Sequence, residues 1–149
     1  MNYEINIETL AVIPINEQKT KILEIDRELI INYNFLDIIN NSCKYFGSSL
    51  KGRIEGSKSI IGNNYKLPII IEEINKIIFI PLASSKSNKC IWLSLNNILN
   101  HQKYNNHSSL ITFINNKSIE IPISYGSLYN QILRATRLQF LLTKRQEKY

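Results

Sequence analysis

The sequence holds little cysteine, little histidine and, beyond residue 40, little acid. Two cysteines in 149 residues, Cys43 and Cys90, are too few for a disulfide framework and exclude a stapled secreted scaffold. The two histidines, His101 and His107, lie in the polar segment Asn100–Ser109, which reads as a loop. Structural zinc needs four ligands at paired spacings, and these four residues show none, so no metal site is expected. Nor is a base placed on a rigid shell beside a nucleophile, and Gly47–Gly52 does not end in the Gly-Lys-Ser/Thr of a phosphate loop. No catalytic residue and no cofactor are therefore expected. The apolar runs around Leu67–Ile71 and Ile77–Ala83 are short and broken by proline, far below the roughly 20 residues of a membrane helix. Met1-Asn2-Tyr3-Glu4 lacks the basic and apolar regions of a signal peptide, so the expectation is a cytoplasmic protein with no membrane partner.

What is present is a chain with 44% hydrophobic residues, long enough for one domain spanning 1–149 that buries roughly two-thirds of its unfolded surface. The net charge is +6, but it is divided unevenly. Residues 1–40 carry seven acids against three bases, whereas residues 41–149 carry 15 bases against five acids. A local basic surplus of that size suits a polyanionic partner, and equally suits a small protein kept soluble by charge.

Tyr3–Glu8 alternates polar and apolar and Leu10–Ile13 is continuously apolar, which predicts an opening strand. Strands are also expected at Lys21–Ile25, Glu28–Ile31, Pro68–Glu72, Lys76–Pro81, Cys90–Leu95, Leu110–Ile114 and Ser118–Ile123, the last pair joined at Asn115-Asn116-Lys117. Phe35, Ile38, Ile39, Ser42 and Phe46 recur at helical spacing between an Asn34 cap and Gly47, which predicts a helix near 35–46. Ser48–Asn64 holds three further glycines among serines and reads as a loop with at most a short strand at Lys58–Ile61. Asn96–Tyr104 reads as a short helix or loop. A long helix follows near 126–148, so the fold class is α+β with a substantial antiparallel sheet.

On that last helix Leu128, Ile132, Leu133, Ala135, Thr136, Phe140 and Leu142 fall on one side. Asn130, Gln131, Arg134, Arg137, Lys144, Arg145 and Lys148 fall on the other. This assigns the first side to the core and the second to a basic stripe, with Leu138 and Leu141 inside the stripe as exposed subunit or groove contacts. Lys51-Gly52-Arg53 and Lys58 place bases on the glycine-rich segment. A glycine between two bases lets an extended backbone enter the narrow, strongly negative minor groove of A·T-rich DNA. The same bases on an ordinary surface loop would only keep the chain soluble. The flanking prolines of an AT-hook are missing.

More specific are whole strings of sequence. Ser42-Cys43-Lys44-Tyr45-Phe46-Gly47-Ser48-Ser49, Gly52-Arg53 and Gly56 come first. Pro68-Ile69, Ile78-Phe79-Ile80-Pro81, Ser84-Ser85, Cys90 and Trp92 follow. Glu120, Pro122-Ile123-Ser124-Tyr125, Ser127, Asn130-Gln131 and Arg134 complete the series. In this order and spacing they resemble the ComK-type competence transcription factors over nearly the whole chain. The resemblance implies a bacterial activator of DNA-uptake genes, working at the nucleoid on double-stranded A·T-rich promoter boxes. It implies minor-groove binding with DNA bending, self-association into dimers and dimers of dimers, and contact with RNA polymerase. It also implies that Lys44, Arg53 and Arg134 touch DNA, while Ser48 and Ser49 either donate to phosphates or shape the turn. Lys51, Lys58 and Arg137 join them on charge and position alone. The alternative is a regulatory paralogue that keeps the fold and binds proteins in place of DNA.

Overall fold

The computed structural model describes residues 3–62, 65–83 and 89–148. The resembling pair Ser84-Ser85 lies outside them. Six strands form an antiparallel sheet in the order β3-β2-β1-β6-β5-β4, from β1 (Thr9–Asn16), β2 (Lys19–Glu24), β3 (Glu28–Ile31), β4 (Ile69–Glu72), β5 (Ile77–Pro81) and β6 (Trp92–Ser94). Two three-stranded meanders thus meet at β1 and β6, where Val12 faces Trp92 and Ala11 faces Leu93. A second antiparallel sheet is built from β7 (Ile98–Lys103), β8 (Ser109–Phe113) and β9 (Ser118–Ile121). The helices are α1 (Phe35–Tyr45), α2 (Leu50–Ile61) and α3 (Tyr125–Gln146). The protein is α+β, as its sequence indicates.

The large sheet is covered on both faces, which is why β4 and β5 are apolar without alternation. Ile69, Ile71, Ile77 and Phe79 join Val12, Ile22 and Trp92 under α1, packing on its Phe35, Ile38, Ile39 and Cys43. Ile70, Ile78 and Ile80 point the other way, to Leu128, Ala135, Leu138 and Leu142 of α3 and to Ile111, Phe113 and Ile121 of the small sheet. The alternation expected at Tyr3–Glu8 does not become a strand: Tyr3 and Ile5 are buried beside α1 ahead of β1. Asn96–Tyr104 is one 3-10 turn and then β7, so His101 sits in a strand.

The expected helix near 35–46 is α1. The Asn34 side chain accepts from the Leu36 N–H, and Gly47 at φ +90° closes it with the Ser48 N–H bonded to the Cys43 carbonyl at 2.9 Å. The segment read as a loop is instead α2. Leu50, Ile54 and Ile61, half-buried, and Ser57, buried, stand at helical spacing, and this packed face forms despite the roughly 1 kcal/mol that each internal glycine costs. Ser49 caps the first turn, accepting from the Gly52 N–H at 3.0 Å, and Gly62 at φ +97° ends the helix. Gly52 is there for space: a Cβ would stand 2.8 Å from Ser48 Oγ and 3.2 Å from Ser49 Oγ. The helix lies over β4 between α1 and α3, covering that edge of the sheet.

Candidate nucleic-acid interface

Strand order turns the charge division of the sequence into a spatial one. The acid-rich first 40 residues build the β3 end of the sheet, and α2, with its bases, covers the β4 end. On α2, Lys51 and Lys58 are both exposed. Seven residues apart, they share one helix face about 10 Å from each other. Glu55 lies between them on that face, so the patch is not purely basic. Lys44 stands exposed in the last turn of α1, where the helix dipole favours a cation, just before the turn that leads into α2.

Two expected contacts are engaged inside the protein. The Ser49 hydroxyl caps α2. Arg53 turns inward, its side chain 16% exposed, with Nη1 donating to Glu73 Oε1 at 3.2 Å and Nη2 reaching the Ile71 carbonyl at a long 3.5 Å. Ser48 lines an open cleft of about 430 Å³ with Phe46, Gly47, Arg53, Glu72, Glu73 and Ile74. An extended Lys51-Gly52-Arg53 strand entering a groove is thus replaced by a helix whose lysine points out and whose arginine points in.

On α3 the expected core face is rotated. Leu128, Gln131, Ala135, Leu138 and Leu142 are the buried positions, a strict stripe at spacings of three and four. Leu138 is 0% exposed and belongs to the core, not to a contact surface; Leu141 is half-buried beside it. The polar Gln131 takes part because its Nε2 donates to the Lys66 and Pro81 carbonyls at 3.0 and 2.7 Å. Of the residues assigned to the core, Leu133, Thr136 and Phe140 are exposed. With Tyr125 and Tyr129 they form a second, outward stripe, against whose start His101 of β7 stacks, 5.4 Å from the Tyr125 ring. The flank away from β7 carries Arg134, Leu141 and Arg145. Arg134 is half-buried, its Nε without a partner, and Arg137 is exposed. Among the described residues, Lys44, Lys51, Lys58, Arg134 and Arg137 make no ion pair.

Lys66, just after α2 and bonded through its carbonyl to α3, adds a cation that the sequence reading passed over. Its signal was the basic surplus itself, with no helical pattern to place it. The thiols are chemically quiet. Burial pushes Cys43 up to about 11 against the pull of nearby Arg53, and burial raises Cys90 as well. Burial holds the His101 imidazole below its ordinary pKa. Among the described residues no group of three or more His, Cys, Asp or Glu could hold a metal ion, and no helix is long and apolar enough to cross a membrane.

No solved structure matches the chain. A curated relative, the competence transcription factor of Bacillus subtilis (strain 168), is 34% identical over 150 residues, which cover 99% of this chain and 77% of the relative. The model of the ComK protein family matches residues 1–147, nearly every position from the first strand to the end of α3, and the chain belongs to that family.

Proposed function

We propose that this protein is a competence transcription regulator that binds double-stranded DNA with the surface formed by α2 and the basic flank of α3. The observation that carries this reading is the match of the family, and of a relative named for competence transcription, over essentially the whole chain. The unpaired cations Lys44, Lys51, Lys58, Arg134 and Arg137 support it by supplying the phosphate-anchoring charge, with Ser48 as a hydroxyl donor beside them. Specificity would come from the shape of a narrow A·T-rich minor groove, with bending of the duplex toward the basic surface. Self-association into dimers and dimers of dimers would use the outward stripe Tyr129, Leu133 and Phe140 in place of Leu138. On this reading the protein acts on promoters in the cytoplasm, together with RNA polymerase and without a catalytic step of its own.

The test is a gel-shift titration on a duplex bearing paired A·T boxes at two salt concentrations. Each phosphate neutralised adds about −0.9 to the slope of log K against log[salt]. Lys51→Gln with Lys58→Gln should weaken binding to all duplexes and lower that slope by about 1.8. Replacing A·T by I·C pairs, which chiefly alters the major groove, should leave affinity nearly unchanged; a large loss assigns the reading to the other groove. A chain that binds no duplex, yet pulls down with other proteins, would be the regulatory paralogue.

A further inference from the structure

Arg53 stands in the sequence string that implies DNA contact, but its surroundings give it another role. The turn between β4 and β5 is tied to two helices at once. Glu73 of that turn holds Arg53 of α2 at 3.2 Å, and Lys76 Nζ donates to Gln146 Oε1 of α3 at 2.9 Å. The turn is itself well fixed: Glu72 accepts from the Asn75 N–H and side chain, and Asn96 Nδ2 donates to the Lys76 carbonyl at 2.8 Å. Beside Arg53 the first turn of α2 is not packed solid, because the 430 Å³ cleft opens there. The guanidinium therefore crosses a gap that apolar packing does not close. Its low exposure, 16%, leaves little of it for an outside ligand.

We propose that Arg53 is a positioning residue and not a DNA contact: paired with Glu73, it braces the first turn of α2 against the β4–β5 turn and sets where Lys51 and Lys58 stand relative to α3. This rests on the DNA-binding reading above and sharpens it. The partner of the pair gives the decisive variant, since the two roles predict opposite signs. If Arg53 reached for phosphate, Glu73 would compete with DNA for it, and Glu73→Gln would tighten binding. As a brace, Glu73→Gln releases α2 and weakens binding.

The experiment measures duplex affinity and salt slope for the full chain, for Glu73→Gln and for Arg53→Ala, with a thermal melt of each. Glu73 is 52% exposed on a turn, so the first variant folds even where Arg53→Ala does not. The expected result is binding about threefold to tenfold weaker for Glu73→Gln, at a temperature far below its melt, with an unchanged salt slope. Tighter or unchanged binding overturns the proposal, as does a slope for Arg53→Ala lower by about 0.9, the signature of one lost phosphate contact. A lower melting temperature with unchanged affinity is a purely structural pair and overturns it too. Wild-type protein that binds no duplex overturns the functional reading and this inference with it, whereas wild-type binding with the wrong sign at Glu73 removes only the brace.

Discussion

Glu24 is a carboxylate that is 4% exposed, and it is tolerable there because each of its oxygens has a donor. Tyr3 donates its hydroxyl to one oxygen, and Arg27 Nε donates to the other at 2.6 Å. Tyr3 in turn lies 2.6 Å from Thr9 Oγ1, so the group ties the first residues to β1 and β2. Burial alone would raise the Glu24 pKa, but the bonds from Tyr3 and Arg27 outweigh it and hold the group below the usual carboxylate range. A carboxylate with a lowered folded-state pKa adds stability that is complete above the ordinary value near 4.5 and is lost as pH falls through the folded one. Glu24→Gln should therefore flatten the dependence of the denaturant midpoint on pH below about 4.5, and lower the midpoint at pH 7. An unchanged acid limb in the variant would show that other carboxylates set it.

At the scale of elements, α2 and α3 show how a helix can be read wrongly in two ways. Counting glycines made α2 a loop, although Leu50, Ile54, Ser57 and Ile61 already carried a helical period. The weak amphipathicity is completed by tertiary contacts, including Ser57 Oγ on the Pro68 carbonyl at 2.6 Å. Gly52 has a steric reason to be glycine, but Gly56 has none: a Cβ there meets nothing within 4 Å, and its φ is not in the left-handed region. Gly56→Ala should then stabilise the protein by about 1 kcal/mol, read as a higher denaturant midpoint with an unchanged m-value. On α3 two apolar stripes exist, and periodicity cannot say which is inside. Averaging over both put Leu133 and Phe140 in the core and Leu138 outside it. The choice fell to Gln131, whose bonds to Lys66 and Pro81 make a polar residue a buried one.

Across the whole molecule, the six-stranded sheet holds the carboxylates of the β3 end apart from the lysines of α2. Five strand spacings of about 4.8 Å put the β3 edge, with Asp26 and Glu28, some 24 Å from β4. That exceeds the Debye length of about 8 Å at 0.15 M salt but not the 30 Å at 0.01 M. Neutralising the far acids, as Asp26→Asn with Glu28→Gln, should leave duplex affinity unchanged at 0.15 M and raise it at 0.01 M. A gain at the higher salt would mean that DNA reaches the β3 end, and the interface would have to be redrawn around it.

Local chemistry was enough for much of this. The α+β class, the Asn34 and Gly47 limits of α1, the hairpin at Asn116 with its φ of +68°, and the long last helix all rest on near neighbours in the chain. The sequence alone also determined the sign and division of the charge, and the family strings. Tertiary structure decided the rest, for a single physical reason: burial and hydrogen-bond partners are supplied by residues far away in sequence. Glu73, 20 residues on, turned Arg53 inward, and the carbonyl of Pro81, 50 residues back, turned Gln131 into the core. The order of the strands then set α2, with Lys51 and Lys58, at the opposite end of the large sheet from β3.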